Sequence, residues 1–379
     1  MKIFRTFLAL ILLSAGSGCK TEKENEPVPT GGNPVEIEYA KGFSIRDYGS
    51  YYLLRVKEPW PEAETSFRYL LAEDGAKIPE DIQYDEKINI PIQTIAVTST
   101  THIPSLDILD AEEALVAFPG LHYISSPDTR KRIAEGKISE LGRNEDLNTE
   151  VLLDLQPDVL VGFAINGNLG DLQIIDQGGI PVLYNSDWTE VSPLGKAEWI
   201  KFFGVLFGKL PEATAFFEEI EHQYLTAKQL AQKADHHPTV LAGAMYKDQW
   251  YLPAGESWHA QFIQDAGGRY LFGETEGTGS LSLSLETVLS QGTGADYWIG
   301  PAQFETYEAM RDASPHYTRF AAYQQRNIYT FASSKGETGG ILYYELAPNR
   351  PDLVLQDLIS IFHPRLLPGY TPVFYKPLK

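Results

Sequence analysis

Two glutamates, Glu150 and Glu286, stand in near-copies of one phrase. The first copy reads Asn148-Thr149-Glu150-Val151-Leu152, then Gln156-Pro157-Asp158 and the apolar run Val159-Leu160-Val161-Gly162. The second reads Ser284-Leu285-Glu286-Thr287-Val288-Leu289, then Gly294-Ala295-Asp296 and Tyr297-Trp298-Ile299-Gly300. Each predicts a glutamate opening a short helix, an Asp at the helix-to-strand turn and a short apolar strand ending on Gly. A carboxylate in a first helical turn either complements the helix dipole or offers a cationic partner charge-assisted hydrogen bonds. The Glu precedes its Asp by eight residues in one copy and ten in the other, so duplicated lobes and chance likeness of two βα units both fit.

Other chemistry is sparsely provided for. Gly204-Val205-Leu206-Phe207-Gly208-Lys209 has three residues between its glycines and is followed by Leu210, so it lacks phosphate-loop spacing and falls in a helical pattern. No Gly-x-Ser-x-Gly elbow occurs, and Cys19 is the one cysteine. The eight histidines include no pair at i, i+4 spacing around an acid, which is weak support for an all-protein metal site. Enzyme activity is therefore not expected. A formal net charge of −20 repels phosphate backbones, which argues against a nucleic-acid partner and suits one with a basic face.

These residues need elements to position them. Lys2 and Arg5, an apolar run over residues 7–13 and small residues leading to Cys19 predict a secretion signal at 1–18, too short to span a bilayer. Cys19, directly after Gly16-Ser17-Gly18, reads as a lipoprotein processing site whose acylated thiol becomes the new N-terminus; the alternative is an ordinary signal peptide with an incidental cysteine. The acyl chains would be the only membrane attachment. Residues 19–34, the modified cysteine and a charged stretch rich in Pro and Gly, form a tether. Residues 35–93 read as strands, an antiparallel β-rich extension of a first lobe.

Over residues 94–194 strands alternate with helices, which implies a parallel sheet with ligand-facing loops at the strand C-termini. Residues 195–234 are strongly helical, with Trp199, Phe202, Phe203 and Leu206 on one face. From Pro211 to the end of that stretch no Gly or Pro intervenes, enough for a rod of about 36 Å at 1.5 Å per residue. The βα rhythm then restarts, making 235–379 a second α/β lobe.

Residues 94–379 resemble the substrate-binding proteins of iron-chelate and cobalamin uptake, the class III periplasmic binding proteins. The likeness is carried by residues 95–101, 148–161, Gly179-Ile180-Pro181-Val182, Pro193-Leu194-Gly195-Lys196-Ala197-Glu198-Trp199, Asp265-Ala266-Gly267-Gly268 and residues 285–300. Trp250-Tyr251 and Ile361-Phe362-His363-Pro364 further resemble the lipoprotein branch common in Bacteroidetes. The resemblance implies two Rossmann-like α/β lobes with mostly parallel sheets, joined by one long rigid helix, which would limit closure to a small twist or tilt. It also implies an ABC importer, with a permease dimer and its ATPase as partners, and a periplasmic, membrane-anchored monomer; exposure at the cell surface is the alternative. Glu150 and Glu286 match the family positions that dock onto permease arginines.

The cargo implied is an iron chelate, siderophore or haem, or a corrinoid, with no resident cofactor. Such ligands suit aromatic walls with a few basic or hydrogen-bonding groups. Candidate contacts on cleft-facing loops are His102, Tyr123, Arg143, Trp188, Tyr246, Trp250, Tyr251, Trp258, His259 and Tyr344. A metal arriving already chelated is favoured, with His102 or His259 as a contact or axial residue. The weaker readings are a bare metal-ion binding protein, a surface lipoprotein hydrolase and a structural or adhesive lipoprotein.

Overall fold

The computed structural model describes residues 31–167 and 169–379. The expected secretion signal, Cys19 and most of the tether lie outside the described residues. No helix among the described residues is long and apolar enough to cross a membrane.

Two parallel sheets form the framework. The first runs Val182–Tyr184, Val159–Gly162, Ile95–Val97, Leu115–Phe118 and Ser139–Glu140 in spatial order, every pair parallel. The second runs Arg269–Tyr270, Thr239–Ala242, Tyr297–Ile299, Ile328–Thr330 and Lys376–Pro377, parallel except for its last pair. In each, the strand that ends the repeated phrase lies beside the first strand of its lobe. The same device sets both junctions. Asp158 accepts the N–H groups of Gln93 at 2.7 Å and Thr94 at 2.8 Å, and its own N–H donates to Thr94 Oγ1 at 3.0 Å. Asp296 accepts the N–H and the hydroxyl of Thr239, both at 2.7 Å, and its N–H donates to Thr239 Oγ1 at 2.9 Å. At both turns the carboxylate supplies an acceptor to backbone N–H groups at the entry of the neighbouring strand.

One helix, Leu210–Ala231, belongs to both cores. Its inward stripe is Ala213, Phe217, Ile220, Tyr224, Ala227 and Ala231, a spacing of four and three residues that keeps one face toward the protein. Ala213, Phe217 and Ile220 pack into the first-lobe core, and Tyr224, Ala227 and Ala231 into the second. The helical stretch before it is not continuous: Pro193–Glu198 and Ile200–Leu206 meet at Trp199, and the chain reverses through Gly208 at φ +65°.

The N-terminal extension is a five-stranded sheet ordered Asn33–Pro34, Phe43–Asp47, Tyr51–Val56, Phe67–Ala72 and Glu86–Asn89. Its last pair is parallel, which corrects the expectation of a wholly antiparallel extension. Residues 73–85 make the long connection that a parallel return needs, in place of a hairpin turn. Phe43, Ile45, Leu54, Val56, Tyr69, Leu71 and Ile88 share the first-lobe core with Trp199 and Phe202.

The second lobe carries an antiparallel ribbon of Ala244–Tyr246, Gln249–Pro253 and Ser280–Leu283. It leaves the parallel sheet at Gly243, where φ is +74° and an added Cβ would collide with the Tyr251 carbonyl oxygen. Only glycine fits such a backbone approach without strain.

Candidate ligand cleft and docking carboxylates

The loops at the C-terminal ends of both sheets open onto three hollows. One of about 810 Å³ follows the first-lobe strands, lined by Thr98, Phe118, His122, Tyr123, Arg143 and Phe163, with Gly340, Ile341 and Tyr344 arriving from the second lobe. A second, about 910 Å³, follows the second-lobe strands, lined by residues 243–246, Tyr251, Gly300 and residues 302–304. The third, about 920 Å³, takes Trp60, Trp188 and Glu190 from one side and Tyr251, Trp258 and His259 from the other. Tyr251 lines two of the hollows. Hollows of this size, mostly apolar and edged by a few polar groups, suit a small-molecule ligand.

Eight of the ten ligand contacts expected from sequence line these hollows: Tyr123, Arg143, Trp188, Tyr246, Tyr251, Trp258, His259 and Tyr344. The other two do not. Trp250 is 0% exposed, stacked on Trp298 at 5.1 Å, with its indole N–H donating to the Ala242 carbonyl at 3.0 Å. Strand residues alternate in direction, so Tyr251 can face the cleft only if Trp250 faces the core. His102 is also fully buried, its ring 5.4 Å from that of Phe203, because the turn Thr100–His102 runs straight into the buried start of helix Ile103–Ile108. Neither of its ring nitrogens has a hydrogen-bond partner among the described residues, and burial pushes its pKa down to about 4.

His259 is half-buried beside Trp258, with ring centroids 4.3 Å apart. Burial first, and then the charge of Lys196, push its pKa down to about 4, so the imidazole is neutral at pH 7. Lys196 itself is buried. Its ammonium donates to the carbonyls of Asp187 at 2.9 Å and Trp188 at 3.1 Å and lies 5.0 Å from the Trp258 ring centroid. This cation therefore ties a first-lobe loop to a second-lobe aromatic wall. A second tie is Glu345, which accepts the N–H groups of Ser125 at 2.6 Å and Ser126 at 2.9 Å across the lobes; burial pushes its pKa up to about 7. Asn349 completes it, accepting from Ser105 Oγ and donating to the Thr101 carbonyl, both at 3.0 Å.

Sequence reasoning missed the contribution of the N-terminal extension: Lys41, Lys57, Glu58, Trp60 and Pro61 all line the third hollow. The available signal was Pro59-Trp60-Pro61, a large aromatic held between two residues that resist burial in a sheet.

Glu150 and Glu286 occupy the same place in their two lobes. Each lies in the first turn of its helix, Thr149–Leu155 or Leu285–Gly292, behind a capping side chain: Asn148 accepts from Val151 N–H and Ser284 from Thr287 N–H. Both are exposed, and neither carboxylate has a hydrogen bond or ion pair among the described residues. They are free to meet a partner. Among the described residues no group of three or more His, Cys, Asp or Glu side chains is placed to hold a metal ion.

Two α/β lobes spanned by one continuous helix, with a cleft at their strand ends, define a bilobal ligand-binding protein. Comparison with known proteins specifies the class. A family model described as periplasmic binding protein matches residues 95–334, and the chain belongs to that family, whose members bind substrates for ABC importers and are not enzymes. An uncharacterized lipoprotein of Methanocaldococcus jannaschii is 25% identical, covering 97% of this chain and 94% of its own. A second from that organism is 23% identical over 80% of this chain and 77% of its own. Among solved structures, a periplasmic heme binding protein from Pseudomonas aeruginosa superposes with a TM-score of 0.57 at 19% identity, over 76% of this chain and 98% of that one. A Helicobacter pylori protein with Ni(II) bound gives 0.56 at 14% identity, over 77% and 91%. At these identities the structures show the shared fold.

Proposed function

We propose that the chain captures an iron chelate, siderophore or haem, or a corrinoid, in the cleft between its lobes and delivers it to an inner-membrane permease. The observation that carries this reading is the convergence of Tyr123, Trp188, Tyr246, Tyr251, Trp258 and Tyr344 on three adjoining hollows of about 810 to 920 Å³. Such surfaces stack on large flat ligands, and the absence of a protein metal cage among the described residues favours a metal that arrives chelated over a bare ion. The heme-binding and Ni(II)-bound proteins of the same fold support that class of cargo.

Glu150 and Glu286 serve delivery. Two exposed carboxylates, one per lobe, present charge-assisted acceptors to arginines of the two permease subunits. Acylation at Cys19 would hold the protein at the membrane, on the periplasmic side, as a monomer. The continuous helix Leu210–Ala231, anchored in both cores, keeps the lobes near one spacing, so specificity rests on a largely pre-formed cleft.

The direct test is titration of the tagless soluble body with haem, cyanocobalamin and ferric siderophores, read by visible absorption and tryptophan fluorescence. A saturable change with at least one of them is expected. No change with any would overturn the proposed cargo class.

A further inference from the structure

One wall of the third hollow lies outside the family match. That match begins at residue 95, yet Lys41, Lys57 and Trp60 line the hollow together with Trp188, Tyr251 and Trp258. The wall is built rather than draped. Glu190, 5% exposed, accepts the N–H groups of Lys41 and Gly42, both at 2.9 Å, and the Trp199 indole N–H at 3.0 Å. Gly42 sits so close to Trp199 that an added Cβ would lie 2.8 Å from its ring. Trp60 stands edge-on to Phe67 at 6.4 Å and to Tyr184 at 6.3 Å, which fixes the ring against the first lobe.

The charge of this wall runs against that of the chain. In a protein of net charge −20, Lys41 and Lys57 line the same hollow, and burial first, then the charges of Arg55 and Lys41, hold the Lys57 pKa below its ordinary value against the opposing pull of Glu190 and Glu58. Lys57 Nζ has no hydrogen bond or ion pair among the described residues, and Lys41 Nζ reaches only the Glu38 carbonyl, at 3.2 Å. The carboxylate that shares the hollow most closely, Glu190, already spends an oxygen on three N–H donors. Glu58, exposed on the same wall, is the other lining carboxylate and has no hydrogen bond or ion pair among the described residues, so the two ammonium groups outnumber it beside an anchored aromatic ring.

We propose that the N-terminal sheet is a cargo-reading wall, in which Trp60 packs on the flat part of a metal chelate while Lys41 and Lys57 receive its acidic groups. The protein then prefers an anionic chelate, such as a carboxylate-bearing porphyrin or a ferric catecholate, over a neutral corrinoid. This rests on the cleft being the cargo site, and it names the chemical class of that cargo.

The test titrates the full mature chain with hemin, ferric tris-catecholate and cyanocobalamin, in the wild type, K41E/K57E and K41R/K57R. Both lysines are exposed, so circular dichroism and melting should be unchanged in the variants. At low salt, the wild type should bind at least one anionic probe more tightly than cyanocobalamin. K41E/K57E should weaken that binding tenfold or more and leave cyanocobalamin unaffected, K41R/K57R should retain it, and added salt should narrow the gap. A loss below tenfold, an equal loss for all three probes, or a wild-type preference for cyanocobalamin overturns the wall. Failure of the wild type to bind any probe overturns the cleft assignment beneath it, a result distinguishable because it appears before any substitution is made.

Discussion

The two lobes share a framework and differ in their additions. In both, an Asp at the end of the repeated phrase locks onto a Thr at the start of the neighbouring strand, and an exposed Glu opens the preceding helix. The additions have no counterpart across the pair. The first lobe carries a five-stranded sheet bound on by Glu190 and Glu198; the second splits off a three-stranded ribbon at Gly243. Those additions, with loops at the strand ends, supply Trp60, Tyr246 and Tyr251 to the hollows. Repetition therefore accounts for the frame and the outer carboxylates, while the cleft walls are particular to each lobe.

The largest effect that would test this division is loss of the first lobe's anchor. Glu198 is fully buried, accepts the N–H groups of Glu38, Tyr39 and Ala40, and pairs with buried Lys201 at 2.8 Å. Glu198→Ala leaves a buried ammonium unpaired and should cost about 3–5 kcal/mol, read by denaturant unfolding. A cost under about 1 kcal/mol would mean that the extension is not held as described. Gly243→Val comes next. It forces a β-branched residue to positive φ against the Tyr251 carbonyl and should cost at least ~2 kcal/mol, with the ribbon displaced.

The shared framework predicts equality. Asp158→Ala and Asp296→Ala each remove two hydrogen bonds to a carboxylate at matching turns and should each cost about 1–3 kcal/mol. A large cost at one and none at the other would break the equivalence of the two phrases.

Two buried groups should titrate in opposite senses. His102 is held near 4, below its ordinary 6.5, so its contribution to stability is complete above pH 6.5 and is lost as pH falls toward 4. Glu345 is held near 7, above its ordinary 4.5, so its contribution is complete below pH 4.5 and is lost as pH rises through 7. Each loss is at most about 3–4 kcal/mol, since one pKa unit corresponds to about 1.4 kcal/mol. His102→Leu should flatten the acid limb of the stability profile and Glu345→Gln the neutral limb. Unchanged limbs in both variants would contradict the burial of these side chains.

Much of the frame was legible in the sequence because strands and helices announce themselves by period and by their turn residues. The Asp of each phrase and the long run after Pro211 are cases in point. The break at Trp199 was hidden because the apolar face continues across it. Trp250 was misplaced because composition does not reveal which of two adjacent aromatics faces the core; only the partner strands set that alternation. Part of the lining of the hollows was accessible because parallel sheets gather their loops at one end. Lys41, Lys57 and Trp60 were not, since no local signal tells that an appended sheet will lean over a cleft formed by residues far along the chain.

The most direct measurement pairs cargo affinity with uptake in two variants of the full chain: E150R/E286R, altered outside the cleft, and W258A/Y251A, altered within it. The first should keep wild-type affinity for the cargo and lose transport; the second should lose affinity tenfold or more. Equal loss of affinity in both, or transport undiminished in E150R/E286R, would contradict the division between a cleft that holds the cargo and outer carboxylates that deliver it.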